Sequence, residues 1–152
     1  MGTTALGQCR WLLVLAGLCG AMAVGIGAFA AHGLPKRLEA QGFSREVVEK
    51  KLEQCDLGAR YQMYHALGLA ILGLVPGTMT RGCFRAAAVF FLLGILGFSG
   101  GLYSMVFADR AFHWSIVPIG GSAFILGWLS FACGAFQSGA TQNGNSQKGA
   151  SS

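Results

Sequence analysis

The stretch "ARYQMYHALGLAILGLVPG", residues 59–77, changes character partway along its length. It opens with an arginine, two tyrosines, a glutamine and a histidine, and from Ala66 onward it holds no ionisable side chain. A helix that crosses a bilayer needs roughly 20 mostly apolar residues. The stretch therefore predicts a membrane helix that begins with a polar cluster.

The composition of the whole chain supports a membrane environment. Of its 152 residues, 53% are hydrophobic and 11% are charged, whereas an average soluble domain has about 25% charged residues. The net charge of +5 is spread out, and no basic run alternates with aromatic residues, so we do not expect nucleic acid as a partner. The lipid bilayer is the partner that this composition predicts.

Four runs lack Asp, Glu, Lys and Arg for long enough to span a bilayer. They cover about residues 11–31, 61–80, 86–108 and 112–136. An alternative for the first run is a signal peptide, because Ala28-Phe29-Ala30 resembles a cleavage site, but the run is longer than a usual signal core. We therefore predict an all-α membrane protein with four transmembrane helices in a bundle, residues 11–136, after a short flank, residues 1–10.

The charged connector between the first two runs is predicted to be helical. Pro35 can begin a short helix, Gly42 can end it, and Ser44 can cap a second helix. Apolar residues fall near one face of that second helix, so it is either an amphipathic helix on the membrane surface or a solvated connector. The Gly/Ser/Asn/Gln-rich tail, residues 137–152, is predicted to be disordered.

Four spans place both termini on one face of the membrane, here called side A, and the opposite face is side B. Seven Lys and Arg residues fall on side B and four on side A. Because basic residues are enriched in cytoplasmic loops, this count favours side B as the cytoplasmic or matrix face.

All three histidines and all three tyrosines fall towards side B. An aromatic belt with ordinary packing explains this pattern, and a functional polar pocket is the alternative. We expect His65 to lie just below the membrane surface with His32 or Tyr103 as its partner, and Arg60 to pair with Asp56 or Asp109. The candidate polar cluster is His32, Arg60, Tyr61, Gln62, His65 and Tyr103.

Small residues recur three or four positions apart in the apolar runs, a spacing that lets membrane helices approach closely. A proline near the start of the fourth run can kink it. The predicted packing positions are Gly25, Gly27, Gly94, Gly97, Gly100, Gly101, Pro118, Gly120 and Gly121.

Four motifs resemble one known family. They are "GAFAAHGL" (27–34), "ARYQMYHALGL" (59–69), "FSGGLYS" (98–104) and "PIGGSAFILGW" (118–128). They are similar to small four-helix membrane proteins of unknown function, the domain of unknown function 423, whose animal members are called transmembrane protein 256. The resemblance covers about residues 10–136. It implies four spans, a bacterial inner or mitochondrial membrane, and no established activity.

Three functions are compatible with these observations. The first is a structural or accessory component of a membrane complex, associated with other subunits or with itself. The second is a carrier or channel for a small solute or proton, and the third is a haem- or quinone-binding redox protein that uses His32 with His65 or His113.

We expect no enzyme. The sequence has no carboxylate pair, Ser–His–Asp set, phosphate loop or metal-ligand spacing, so no catalytic residue, metal or cofactor is predicted. The five cysteines are odd in number and show no CxxC spacing, so the sequence suggests neither a disulfide framework nor a zinc site.

Overall fold

The protein is described by a computed structural model, which covers residues 9–78, 81–108 and 115–149, with side chains described as far as Ser138. All regular elements in these residues are helical, so the predicted all-α class is confirmed for them. The elements in chain order are α1 (Arg10–His32), α2 (Leu34–Ala40), α3 (Arg45–Leu74), α4 (Gly82–Gly94), a π-helical segment (Ile95–Ser99), α5 (Gly100–Phe107) and α6 (Ile116–Gly149).

Three helical segments within the described residues are long and apolar enough to cross a membrane: Arg10–His32, Gly82–Phe107 and Ile116–Ser138. They correspond to the predicted first, third and fourth spans. The predicted second span is the C-terminal part of α3, where the side chains of Arg60, Gln62 and His65 lower the mean hydropathy. Its crossing of the membrane stays a prediction.

The connector differs from the expected arrangement, because it does not form a helix separate from the second span. The chain turns at Gly42, whose φ of +82° lies in the left-handed region, and Ser44 occupies the N-cap position of α3. From there one helix of 30 residues continues to Leu74. No proline interrupts it, and a helix that has already formed adds further residues at little cost.

The second span also ends earlier than the predicted residue 80. Val75 adopts an extended conformation, as expected for a residue that precedes a proline, and Gly77 has a φ of +74°. The hydroxyl oxygen of Thr78 lies 2.6 Å from the carbonyl oxygen of Leu72 and 2.9 Å from that of Val75, and it can donate its one proton to either. It thereby helps to satisfy the carbonyl groups at the end of α3.

The long helices pack in the order α1, α3, α4–α5 and α6, so that each packs mainly on the next one in this order. The main neighbour of α1 is α3, and α3 also packs against α4, the π-helical segment and α5. On the far side, α6 packs against α4 and the π-helical segment. Two apolar clusters fill the interior, one around Leu12, Leu69 and Phe91 and the other around Leu34 and Cys55.

Close backbone contact between α6 and the π-helical segment explains part of the glycine pattern. A Cβ atom on Gly120 would overlap the nitrogen of Phe98, and one on Gly97 would lie 3.1 Å from Cα of Gly120. Gly94 faces the ring of Phe124 and Gly101 faces Val117 in similarly close contacts. At these positions a larger side chain would force the helices apart.

Other predicted packing positions differ from expectation. Gly25 and Gly27 have no neighbouring atom within 4 Å of a Cβ position, and at Gly100 the nearest is a backbone oxygen at 3.9 Å. At Gly121 the nearest is the ring of Phe98, at an ordinary 3.7 Å. Pro118 is exposed in the first turn of α6, where its missing N–H would have no partner, so no kink follows.

The structure describes α6 as far as Gly149, which includes most of the tail. The disorder predicted for residues 137–152 stays a prediction, since their Gly, Asn and Ser residues have low helix propensity.

Candidate functional site

His65 is the buried polar residue around which the candidate site is built. Only 4% of its surface is exposed. Its Nε2 lies 3.2 Å from Nε1 of Trp128 on α6, and its Nδ1 lies 2.7 Å from the carbonyl oxygen of Tyr61. An indole N–H can only donate, so Nε2 accepts. Nδ1 therefore carries the proton and donates to Tyr61, which makes the imidazole neutral with a defined tautomer.

Aromatic rings enclose the same imidazole. The ring of Phe124 stacks on it with centroids 3.4 Å apart and planes 8° apart, and the ring of Phe91 lies 5.3 Å away. These contacts bring α3, α4 and α6 together at one point. Neither Phe124 nor Trp128 was predicted as a site residue, although the two lie four apart in "PIGGSAFILGW" and so share a helix face.

His65 lies level with the middle of a segment that is long and apolar enough to cross a membrane, because Phe124 and Trp128 are near the middle of Ile116–Ser138. The predicted depth just below the membrane surface stays a prediction. Its partner is on α6 rather than on the first or third predicted span. The reason is the register of neighbouring helices, which spacing within one helix does not reveal.

A groove opens beside His65 between α3 and α6. It has a volume of about 580 Å³ and apolar walls. Tyr61 and Tyr64, 38% and 54% exposed, contribute hydroxyl groups, and the ring of Tyr61 lies 4.8 Å from that of Phe98. The aromatic residues that line it are Tyr61, Tyr64, His65, Phe98, Phe124 and Trp128.

Two other members of the predicted cluster have different partners. Arg60 pairs with Asp56 at 2.7 Å, and both side chains are more than half exposed. This is one of the two predicted partners of Arg60; the other, Asp109, lies outside the described residues. Such exposed pairs contribute at most about 1 kcal/mol. Gln62 is 1% exposed, and its Nε2 donates to the carbonyl of Cys19 on α1 at 2.8 Å, so it links α1 to α3.

His32 is not close to His65. The Gln62–Cys19 bond sets the antiparallel register of α1 and α3, which places exposed His32 level with Glu49. That is about 24 Å from His65 along the helix axis at 1.5 Å per residue. The two histidines therefore cannot ligate one haem iron. His113, the other histidine considered for such a site, lies outside the described residues.

Tyr103 is also separate from the His65 site. Its ring lies against Gly58, where an added Cβ would be 2.8 Å from the ring. Among the described side chains, the buried hydroxyls of Tyr103 and Ser99 have no hydrogen-bond partner. Burying an unpaired hydroxyl is costly, and although Tyr103 was predicted as part of the polar cluster, the sequence did not indicate that these two hydroxyls lack partners.

The site combines apolar walls with a histidine whose hydrogen-bonding groups are satisfied. Both ring nitrogens of His65 are already engaged. Across residues 9–78, 81–108 and 115–138, no three His, Cys, Asp or Glu side chains come together as metal ligands. What remains is a flat-walled aromatic groove with two tyrosine hydroxyls at its edge.

Comparisons with known proteins agree with a membrane location. The family described as "Protein of unknown function (DUF423)" matches residues 26–121. A UPF0382 membrane protein of Haemophilus influenzae is 41% identical over 128 residues, which are 83% of this chain and 94% of that protein. One from Staphylococcus haemolyticus is 38% identical over 84% of this chain and 97% of its own length.

A more distant relative, the UPF0382 membrane protein YwdK of Bacillus subtilis, is 32% identical over 81% of this chain and 94% of its own length. No solved structure matches the chain. The match to the family covers more than half of the chain, and the relatives align over nearly their full length. The chain belongs to the DUF423 family, a family of membrane proteins of unknown function.

Proposed function

We propose that the protein crosses a bacterial inner membrane or a mitochondrial membrane four times, with α3 as the remaining span. Support comes from packing, since α3 lies between α1 and the α4–α5 segment, which are both long enough to cross. At 1.5 Å per residue the 30 residues of α3 extend for about 45 Å, more than the roughly 30 Å hydrocarbon core. Its charged N-terminal part then projects from side B.

The topology is tested with cysteines placed on opposite faces. Gln41→Cys, in the exposed turn after α2, is expected on side B, and a cysteine appended after Ser152 on side A. Two native thiols near side A are accessible, and the substitutions Cys83→Ser and Cys133→Ser remove them so that they do not react with the label. Labelling of intact cells or mitoplasts with a membrane-impermeant maleimide should reach only one of the two probes. Equal labelling of both would contradict four spans.

We further propose that the protein is an accessory subunit of a membrane complex. The observation that carries this proposal is the outer face of α1, where Gly17, Ala21 and Gly25 recur every fourth residue and are exposed. No atom of the chain lies within 4 Å of a Cβ position on Gly17 or Gly25. Stripes of this kind let a second helix approach closely, so this face fits a transmembrane helix of a partner subunit.

The matched test compares two substitutions on α1. Ala21→Ile adds bulk to the small-residue face, whereas Met22→Leu alters the exposed neighbouring position without adding bulk. Complexes solubilised in mild detergent are separated on native gels after cross-linking, and bound proteins are identified by mass spectrometry. We expect Ala21→Ile to lose the partner while Met22→Leu retains it. A complex that contains only copies of this chain, or one unaffected by Ala21→Ile, would contradict the proposal.

A second candidate function is binding of a membrane-dissolved molecule in the groove beside His65. Flat aromatic rings line it, and the hydroxyls of Tyr61 and Tyr64 can donate to a carbonyl oxygen. This chemistry suits a planar ring that carries carbonyl groups and an apolar tail, which describes a quinone. The groove thus favours the quinone alternative over haem, for which His65 has no free nitrogen.

This candidate is tested by fluorescence of Trp128 in a variant with Trp11→Phe and Trp114→Phe. Decylubiquinone should quench this fluorescence with saturation, and Tyr61→Phe should weaken binding by about tenfold, as expected for one lost hydrogen bond. A variant that retains only Trp11, on the exposed face of α1, reports simple partitioning into lipid. Unsaturable quenching equal to that of Trp11, or equal binding of decylbenzene, would exclude the quinone site.

A further inference from the structure

Two thiols meet where α4 and α6 lie side by side near side A. Sγ of Cys83, in the first turn of α4, lies 3.0 Å from Sγ of Cys133 on α6. Cys83 is half-buried and Cys133 is exposed. A disulfide bond is about 2.05 Å long, so the sulfurs need to approach by only about 1 Å more.

Contacts on both sides of the cysteine pair hold the same two helices together. Just before α4, at its N-cap position, the guanidinium of Arg81 donates to the hydroxyl of Ser138 on α6. After it, the ring of Phe84 packs directly on Gly134 of α6. The approach of the two sulfurs therefore follows from the packing of α4 on α6 and does not depend on one flexible side chain.

The other cysteines lie elsewhere in the fold. Cys9 and Cys55 are buried in the two apolar clusters, and Cys19 is half-buried on α1. Because 50 positions separate Cys83 from Cys133, their spacing along the chain did not indicate that they lie close together. A thiol that is exposed and adjacent to a second thiol is the arrangement that thiol–disulfide exchange requires.

We propose that Cys83 and Cys133 form a reversible disulfide bond that fastens α4 to α6 at side A, with a low-molecular-weight disulfide such as glutathione disulfide as the oxidant. The basic residues favour side B as the cytoplasmic or matrix face. Side A would then face the opposite compartment, the periplasm in a bacterium, where disulfides form and persist.

The reaction proceeds in two exchanges. The thiolate of Cys133 attacks one sulfur of glutathione disulfide, which forms a mixed disulfide and releases one glutathione thiolate. The thiolate of Cys83 then attacks the sulfur of Cys133, the bond to glutathione breaks, and the second glutathione leaves. The two cysteines together lose two protons and two electrons, and one glutathione disulfide becomes two glutathione molecules.

The experiment uses the full chain in lipid nanodiscs, equilibrated in buffers with increasing ratios of oxidised to reduced glutathione. Free thiols are trapped with N-ethylmaleimide and mapped by peptide mass spectrometry. Labelling of Cys83 and Cys133 should fall together by at least about tenfold, a peptide that links them should appear, and reductant should reverse both changes. Cys19→Ser, the control, should leave this behaviour unchanged.

Two further variants separate the intended bond from other products. In Cys133→Ser, Cys83 should remain labelled or carry only glutathione. In the oxidised wild type, thermal unfolding should occur at a higher temperature than in the reduced protein, and Cys133→Ser should show no such difference. Separate glutathione adducts without a linked peptide, a link between two chains, or equal unfolding temperatures in both redox states would overturn the proposal.

Discussion

The indole of Trp128 and the imidazole of His65 connect α6 to α3, although the backbones of these two helices are not close neighbours. The bond of 3.2 Å runs from α6 to α3, while α6 packs mainly on α4 and the π-helical segment. Phe124, one turn before Trp128, stacks on the same imidazole. One buried residue of α3 thereby contacts two successive turns of α6, and it positions the wall of the groove.

A double-mutant cycle measures this connection. Trp128→Phe removes the donor, His65→Phe removes the acceptor, and both retain an aromatic ring. Interhelical hydrogen bonds in membranes contribute about 0.6 kcal/mol on average and up to about 1.7, so we expect a coupling energy of roughly 1 kcal/mol for unfolding in bicelles. Strictly additive losses would show that the two side chains do not interact.

Neighbouring glycines on α6 provide a matched pair for the packing of the fourth span. A Cβ on Gly120 would overlap the backbone of Phe98, whereas one on Gly121 would make an ordinary contact with its ring. Overpacking typically costs about 1–3 kcal/mol. Gly120→Ala should therefore lower the unfolding temperature in detergent clearly, and Gly121→Ala should leave it nearly unchanged. Equal effects of the two substitutions would mean that α6 does not approach the π-helical segment.

Local signals and composition made much of the fold predictable. Three apolar runs became the segments that are long enough to cross a membrane, and Pro35, Gly42 and Ser44 lie at the helix boundaries that their backbone preferences indicate. These features depend on residues that are close together in the chain. The apolar half of α3 was predicted as the second span, but its continuity with the charged connector was not, because one helix runs from Arg45 to Leu74.

The partners of the site were not predictable, because they depend on register between helices. Spacing placed Tyr61 and His65 on one face, and their rings are indeed 6.2 Å apart, but it could not show that this face meets Trp128. The glycine pattern failed in part for a related reason. A π-helical segment has i→i+5 hydrogen bonds, so it rotates the following helix, and Gly101 rather than Gly100 faces α6.

Lys51 shows how the charged part of α3 stabilises the end of the third span. It is 7% exposed, and its Nζ donates to the carbonyl of Met105 at 3.1 Å. Lys51→Met keeps the apolar stem and removes the donors, so we expect a loss of about 1.5–3 kcal/mol, the usual range for charged hydrogen bonds. Lys50→Met, on the exposed side of the same turn, should change stability by less than about 0.5 kcal/mol. The free energy of unfolding of both variants is measured by chemical denaturation followed by circular dichroism. Similar losses of stability in the two variants would contradict this role of Lys51.

Gln62 provides the last prediction, because its side chain links α1 to α3 by donating to the carbonyl of Cys19. Gln62→Glu keeps the shape but replaces the donor with a carboxylate, which faces a carbonyl oxygen in a buried position. An unpaired buried charge is far more costly than a neutral amide, so we expect a loss of at least about 2 kcal/mol at neutral pH. Lower pH should restore part of the stability, since a protonated carboxyl group can donate again. Gln54→Glu, two turns earlier and less buried, is the control and should unfold like the wild type at each pH. If Gln62→Glu were as stable as Gln54→Glu at neutral pH, the bond to Cys19 would not hold α1 on α3.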